Sequence, residues 1–186
     1  QEISGLSPTD TDGIFLGIAD EKGTIYFIDG NGGGAIVRQV EFRDKGDFEG
    51  VEWADKCLYA VKSDGKIFEI RNWKNGDPKV REFETPLSKE NDVEGLCYDP
   101  GRKALLVAEK GNPDVNTPRN IYAFNLKTNE LEAAPVYVIN PVEINQILPS
   151  TPGIEKDNYF SPSGIAIHPL TREVYVVSSA KKRLAV

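Results

Sequence analysis

Methionine is missing from all 186 residues, histidine occurs once and cysteine twice. The methionine gap is unusual at this length but excludes no function. The other two scarcities do exclude something. One histidine and two cysteines at these spacings cannot assemble a zinc cluster. Cys57 and Cys97 each sit inside a strand-like run and read as free buried thiols. Basic charge is also short, with 22 Lys and Arg against 29 Asp and Glu and a net charge of −7. A nucleic-acid surface needs a clustered basic face, and Lys181-Lys182-Arg183 is the one basic run, as expected of a solvated strand edge. No apolar stretch approaches the roughly 20 residues of a membrane helix. Gly30-Asn31-Gly32-Gly33-Gly34 has no helical pattern after it, so it reads as a hairpin turn and not a phosphate loop.

What is present is ordinary globular material, 39% hydrophobic and 27% charged, enough for a core. One phrase organises it. Asp92-Val93-Glu94-Gly95-Leu96-Cys97-Tyr98 repeats Asp47-Phe48-Glu49-Gly50-Val51-Glu52-Trp53. Glu2-Ile3-Ser4-Gly5-Leu6 and Ser161-Pro162-Ser163-Gly164-Ile165-Ala166-Ile167 are looser copies. The glycines are 45 positions apart twice and then 69 apart, one period plus an insertion of 24. A fixed period of this size marks a repeat architecture.

Each glycine opens a unit of short strands divided by Gly, Asp and Asn turns. The first unit predicts strands after Gly5 and over Ile14–Ala19, Thr24–Ile28 and Ala35–Phe42. The second predicts Gly50–Trp53, Cys57–Val61, Lys66–Ile70 and Lys79–Phe83. The third predicts Gly95–Tyr98, Ala104–Ala108, Ile121–Phe124 and about Leu131–Tyr137. It carries two enlargements, Lys110–Arg119 and Val138–Phe160, the latter with a short helix from Pro141 to Leu148. The fourth unit predicts Gly164–Ile167, Val174–Val177 and Leu184–Val186.

These patterns predict an all-β fold, a β-propeller of four-stranded antiparallel blades in a single domain over 1–186. The repeats run approximately 2–46, 47–91, 92–160 and 161–186. One sheet cannot cover both apolar faces alone, so blades stack around an axis. A β-sandwich also has many short strands but gives no reason for a constant interval. About four blades fit here, and the last unit is one strand short, so a larger ring is expected. A chain opening on Gln1 is expected to be a mature product that has lost a signal peptide.

In such a fold the starts of the inner strands and the ends of the second strands share one face. That places Glu2, Asp47, Glu49, Asp92 and Glu94, with Asp20, Lys62 and Glu109, at one mouth of the axis. Carboxylates crowded together repel unless protonated or bridged by a cation. Ca²⁺, with its six to eight oxygen ligands, suits such a place. Glu49 and Glu94 are the first candidate ligands, followed by Asp92, Asp47 and Glu109. Capping of turn N–H groups, or simple solvation, is the competing role for the same acids. His168-Pro169 stands at the offset of Asp99-Pro100 in the opposite-face turn, which removes it from any serine hydrolase arrangement at this mouth. Trp53 and Trp73 read as packing residues.

The repeated phrases, with Leu105-Leu106-Val107-Ala108-Glu109 and Val174-Tyr175-Val176-Val177-Ser178-Ser179, resemble the SdiA-regulated family over most of the chain. The resemblance implies a six-bladed propeller of the bacterial cell envelope, with no established activity. The third unit is also similar to β-propeller phytases, through Glu94-Gly95, Leu105–Glu109 and Asn120-Ile121-Tyr122-Ala123-Phe124. That similarity implies calcium ligands at Glu94 and Glu109, while Lys110 stands where those proteins can carry a further acid.

The leading expectation is an extracytoplasmic propeller, a monomer without nucleic-acid partner, binding Ca²⁺ and a small-molecule or peptide ligand at the acidic mouth. Two other expectations are a calcium-dependent phosphoesterase of phytase type and a structural scaffold for protein partners.

Overall fold

Four antiparallel sheets succeed one another in the computed structural model, which describes residues 2–111, 117–147 and 159–186. The first holds β1 (Ile3–Pro8), β2 (Ile14–Ala19), β3 (Gly23–Asp29) and β4 (Ala35–Arg43) in that order. The second holds β5 (Phe48–Ala54), β6 (Cys57–Lys62), β7 (Ile67–Arg71) and β8 (Lys79–Phe83). In the third, β9 (Val93–Asp99), β10 (Ala104–Glu109) and β11 (Arg119–Asn125) are followed by β12 (Glu130–Leu131) and β13 (Tyr137–Ile139), which both pair with β11. The fourth holds β14 (Gly164–Ile167), β15 (Val174–Ser178) and β16 (Arg183–Ala185).

The third blade departs from the sequence expectation of one outer strand over Leu131–Tyr137. Glu132 N–H still donates to the Ala123 carbonyl and Val136 N–H to that of Ile121, both at 2.8 Å. The three residues between them are looped out. Pro135 has no N–H to give a ladder, so the strand splits there. Helix α1 (Pro141–Ile147) forms as expected, although Leu148 lies outside the described residues. Asn140 caps it, its Oδ1 accepting from Val142 N–H at 3.0 Å. The two enlargements of this unit also fall partly outside the described residues.

The turns explain themselves chemically. Asp29 Oδ1 accepts the N–H groups of Asn31 and Gly32, both at 2.9 Å. Asp99 Oδ1 does the same for Gly101 and Arg102, at 2.8 and 3.2 Å. His168 Nδ1 accepts from Leu170 and Thr171, at 3.3 and 3.0 Å, so His168 and Asp99 do occupy one structural position.

Three apolar cores hold the blades together, and each straddles two neighbours. The first joins Leu16, Ile18 and Ile25 to Phe48, Leu58 and Phe68. Phe48 is fully buried, edge-on to Phe42 at 5.3 Å and to Phe68 at 5.5 Å. The second core joins Val61 and Ile67 to Leu105 and Phe124, and the third joins Cys97 and Leu106 to Phe160 and Val176. Both cysteines are free thiols. Inner strands β1, β5, β9 and β14 pack successively, and no packing of that extent closes β14 back onto β1 among the described residues. No helix among the described residues is long and apolar enough to cross a membrane.

Candidate functional site

Backbone hydrogen bonds stitch the first blade to the second, and the second to the third, at one end of the axis. Phe48 N–H donates to the Asp20 carbonyl at 2.8 Å, and Val93 N–H to that of Ser63 at 2.9 Å. Ser63 N–H in turn donates to Asp47 at 3.0 Å, and Lys110 N–H to Asp92 at 2.8 Å. Asp20 and Ser63, each just after a second strand, are thereby locked between two inner strands. This fixes where the mouth carboxylates project.

The lock brings Asp20, Asp47 and Glu49 together, with one oxygen from each within 4.8 Å of the others. Asp20 and Glu49 are half-buried and Asp47 is exposed. Ser63 Oγ donates to Asp47 Oδ2. No lysine or arginine pairs with any of the three among the described residues. Glu49 is pushed up to about 7, first by burial and then by the charges of Glu94, Asp20, Asp47 and Asp92. Burial raises Asp20 too, followed by Asp47, Glu2 and Glu21.

The acids of the third blade behave differently. Lys110 Nζ lies 2.6 Å from Glu94 Oε1 and 3.7 Å from Asp92 Oδ2. Burial alone would favour the neutral amine, but Glu94, Asp92 and Glu49 outweigh it and raise the lysine. Glu109 is buried and fully engaged. Its Oε1 accepts from Asn120 N–H at 2.9 Å and Asn120 Nδ2 at 2.6 Å, and its Oε2 from Asn91 Nδ2 at 2.8 Å. The expected ligand set therefore divides. Asp47 and Glu49 sit in a group with no ion pair among the described residues, Glu94 and Asp92 flank Lys110, and Glu109 holds loops. Asp20 completes the first group. Sequence reasoning placed it on this face but left it out of the ligand set. Beneath the mouth an axial cavity of about 440 Å³ is lined by Glu49, Glu94, Ser163, Tyr175 and the inner-strand glycines.

The electrostatics give a testable pH dependence. A carboxyl at about 7 in the folded chain and 4.5 when unperturbed binds its proton more tightly when folded. Its contribution to stability is complete below the unperturbed value and is lost as pH rises to about 7. Because Glu49 is partly solvated, screening reduces the loss to about 1–2 kcal/mol. Thermal melts in chelator at pH 5 and 8 should show this fall in the native chain and not in Glu49→Gln. An equal slope in both would remove Glu49 as its origin.

Antiparallel blades stacked radially about an acidic-mouthed axis define a β-propeller. The chain belongs to the SdiA-regulated family, whose sequence profile matches residues 1–184. No curated protein matches the sequence. Among solved structures, the Myxococcus xanthus glutaminyl cyclase is similar with a TM-score of 0.62 at 13% identity, over 98% of this chain and 70% of that one. A nidogen/laminin complex is similar at 0.63 and 16%, over 98% of this chain and 59% of that one. The Myceliophteria thermophila Cps50 (Swd1) β-propeller domain follows at 0.54 and 15%, over 96% and 50%. At these identities the likeness is one of fold.

Proposed function

We propose that this propeller binds Ca²⁺ through Asp20, Asp47 and Glu49, and that the ion presents open coordination positions to an oxygen-bearing small molecule or peptide at the mouth. The observation that carries the reading is the convergence of these three carboxylates with no lysine or arginine at ion-pair distance among the described residues. Two unit charges about 4 Å apart cost about 1 kcal/mol in water and about 4 kcal/mol near a protein surface. A hard divalent cation turns that repulsion into attraction. Three side chains supply at least three oxygens of the six to eight that Ca²⁺ takes, which leaves room for water or ligand oxygens. Sites of modest charge bind in the roughly 10⁻⁴–10⁻³ M range suited to extracellular calcium, in keeping with an extracytoplasmic location.

Calorimetric titration with calcium should give a saturable heat in that range. Glu49→Gln should weaken it by about tenfold or more, one charged ligand being lost. Glu94→Gln should change it little, since Lys110 already occupies that carboxylate. No heat and no change in melting temperature at about 10 mM calcium, well above that range, would end the metal reading. The Lys110 ammonium against Glu94 and Asp92 disfavours the phosphoesterase alternative, because it takes the place of a second cation.

A further inference from the structure

Both tryptophans of the chain, Trp53 and Trp73, meet on the face opposite the acidic mouth. Trp73 lies in the β7–β8 turn of the second blade and stacks on Phe27 of the first, centroids 4.9 Å apart. Trp53, from β5, meets Trp73 edge-on at 5.6 Å. Trp73 and Phe27 are buried, whereas Trp53 keeps part of its ring in solvent. The rings wall a cavity of about 270 Å³ between the blades. A second cavity of about 290 Å³, at the axis, shares Thr9, Asp10 and Trp53 with it.

Two cations edge the aromatic cavity. Arg38 lies 5.2 Å from the centre of the Trp73 ring, and its Nη2 donates to the Lys74 carbonyl at 2.8 Å. Lys74 Nζ lies 5.2 Å from Trp73 and 6.0 Å from Trp53. Neither has a carboxylate at ion-pair distance among the described residues. The guanidinium is held in place by a carbonyl and a ring face, so its remaining N–H groups are oriented before any ligand arrives.

We infer that this notch is a second binding site, for a small organic anion with an apolar body. The aromatic walls take the body and the Arg38–Lys74 pair takes the carboxylate. A cavity with aromatic walls and convergent polar groups has the form of a small-ligand site, here at a volume just under the usual range. Asp10 on the opposite rim carries the wrong sign for such a ligand and sets a limit on affinity.

Emission excited selectively at tryptophan, and not at tyrosine, reports on this place alone, since no tryptophan lies elsewhere. The native chain is titrated in chelator, which separates the result from the calcium site. The probes are 4-phenylbutyrate, its neutral amide and the corresponding amine. The carboxylate should shift the emission saturably in the low-millimolar range, about what a dozen heavy atoms can give. The amide and amine should bind about tenfold more weakly, and added salt should weaken the carboxylate. Arg38→Gln with Lys74→Gln should abolish the difference among probes, and Asp10→Asn should tighten the carboxylate. No saturable shift, or equal affinities for all three probes in the native chain, overturns the proposal and leaves the tryptophans as packing alone.

Discussion

Replacing Glu52 by alanine is expected to lower the unfolding free energy by about 2–4 kcal/mol, a large loss for a single polar side chain. Glu52 projects from β5 into the joint of three blades, with only 7% of its surface exposed. Ser7 of the first blade donates its hydroxyl to Oε1. Trp53 N–H donates to Oε1 at 2.7 Å, and Tyr98 N–H of the third blade donates to Oε2 at 2.9 Å. Burial raises the carboxyl, while these three donors pull it partly back. Alanine leaves two partly buried N–H groups without a side-chain acceptor and opens a hole at the joint. Glutamine keeps the volume but turns an NH₂ toward an N–H donor, so it should cost about 1–2 kcal/mol. Ser7→Ala removes one donor and leaves the carboxylate its two backbone bonds, a loss of about 1 kcal/mol. Urea unfolding of the three variants should reproduce that order. A Glu52→Ala loss below about 1 kcal/mol would mean that water replaces the side chain and that the joint is wet.

The blades were legible because each repeats the same physical requirement. An inner strand must approach its neighbour, so Gly5, Gly50 and Gly95 recur at one interval. The turns were legible for the same reason, since Asp29, Asp99 and His168 each supply a side-chain acceptor at a chain reversal. The candidate site was legible only as a face. Its internal pairing depends on where long side chains reach. Lys110 follows β10 and could have pointed into water, but its stem carries the ammonium to Glu94. Glu109 lies beside it in sequence yet turns inward to Asn91 and Asn120. Glu52 escaped notice because a strand covered on both faces has no solvent side, so a polar residue between Val51 and Trp53 does not announce its burial.

Gly50→Val should be strongly damaging, costing about 3 kcal/mol or more, or preventing folding. A Cβ at Gly50 would lie 2.7 Å from Leu96 Cβ, 3.1 Å from Val61 Cγ1 and 3.3 Å from Leu96 N. Two of these three atoms are a Cβ and a backbone nitrogen of β9, which cannot swing aside by changing rotamer. Relief requires β5 and β9 to separate, and the blades share a buried core that resists it. Gly164 provides the control. It holds the same position in β14, the last inner strand of this chain, and among the described residues a Cβ there would meet nothing within 4 Å, with φ outside the left-handed region. Gly164→Ala should therefore be neutral or stabilising by about 0.5 kcal/mol, through a less flexible unfolded chain. Gly50→Ala, with one methyl, should cost about 1–3 kcal/mol and weaken calcium binding as well, because Glu49 precedes it on the strand that must move. If Gly50→Ala and Gly164→Ala prove equally tolerated, the inner strands do not pack as closely as these distances require, and the fixed geometry of the acidic mouth loses its support.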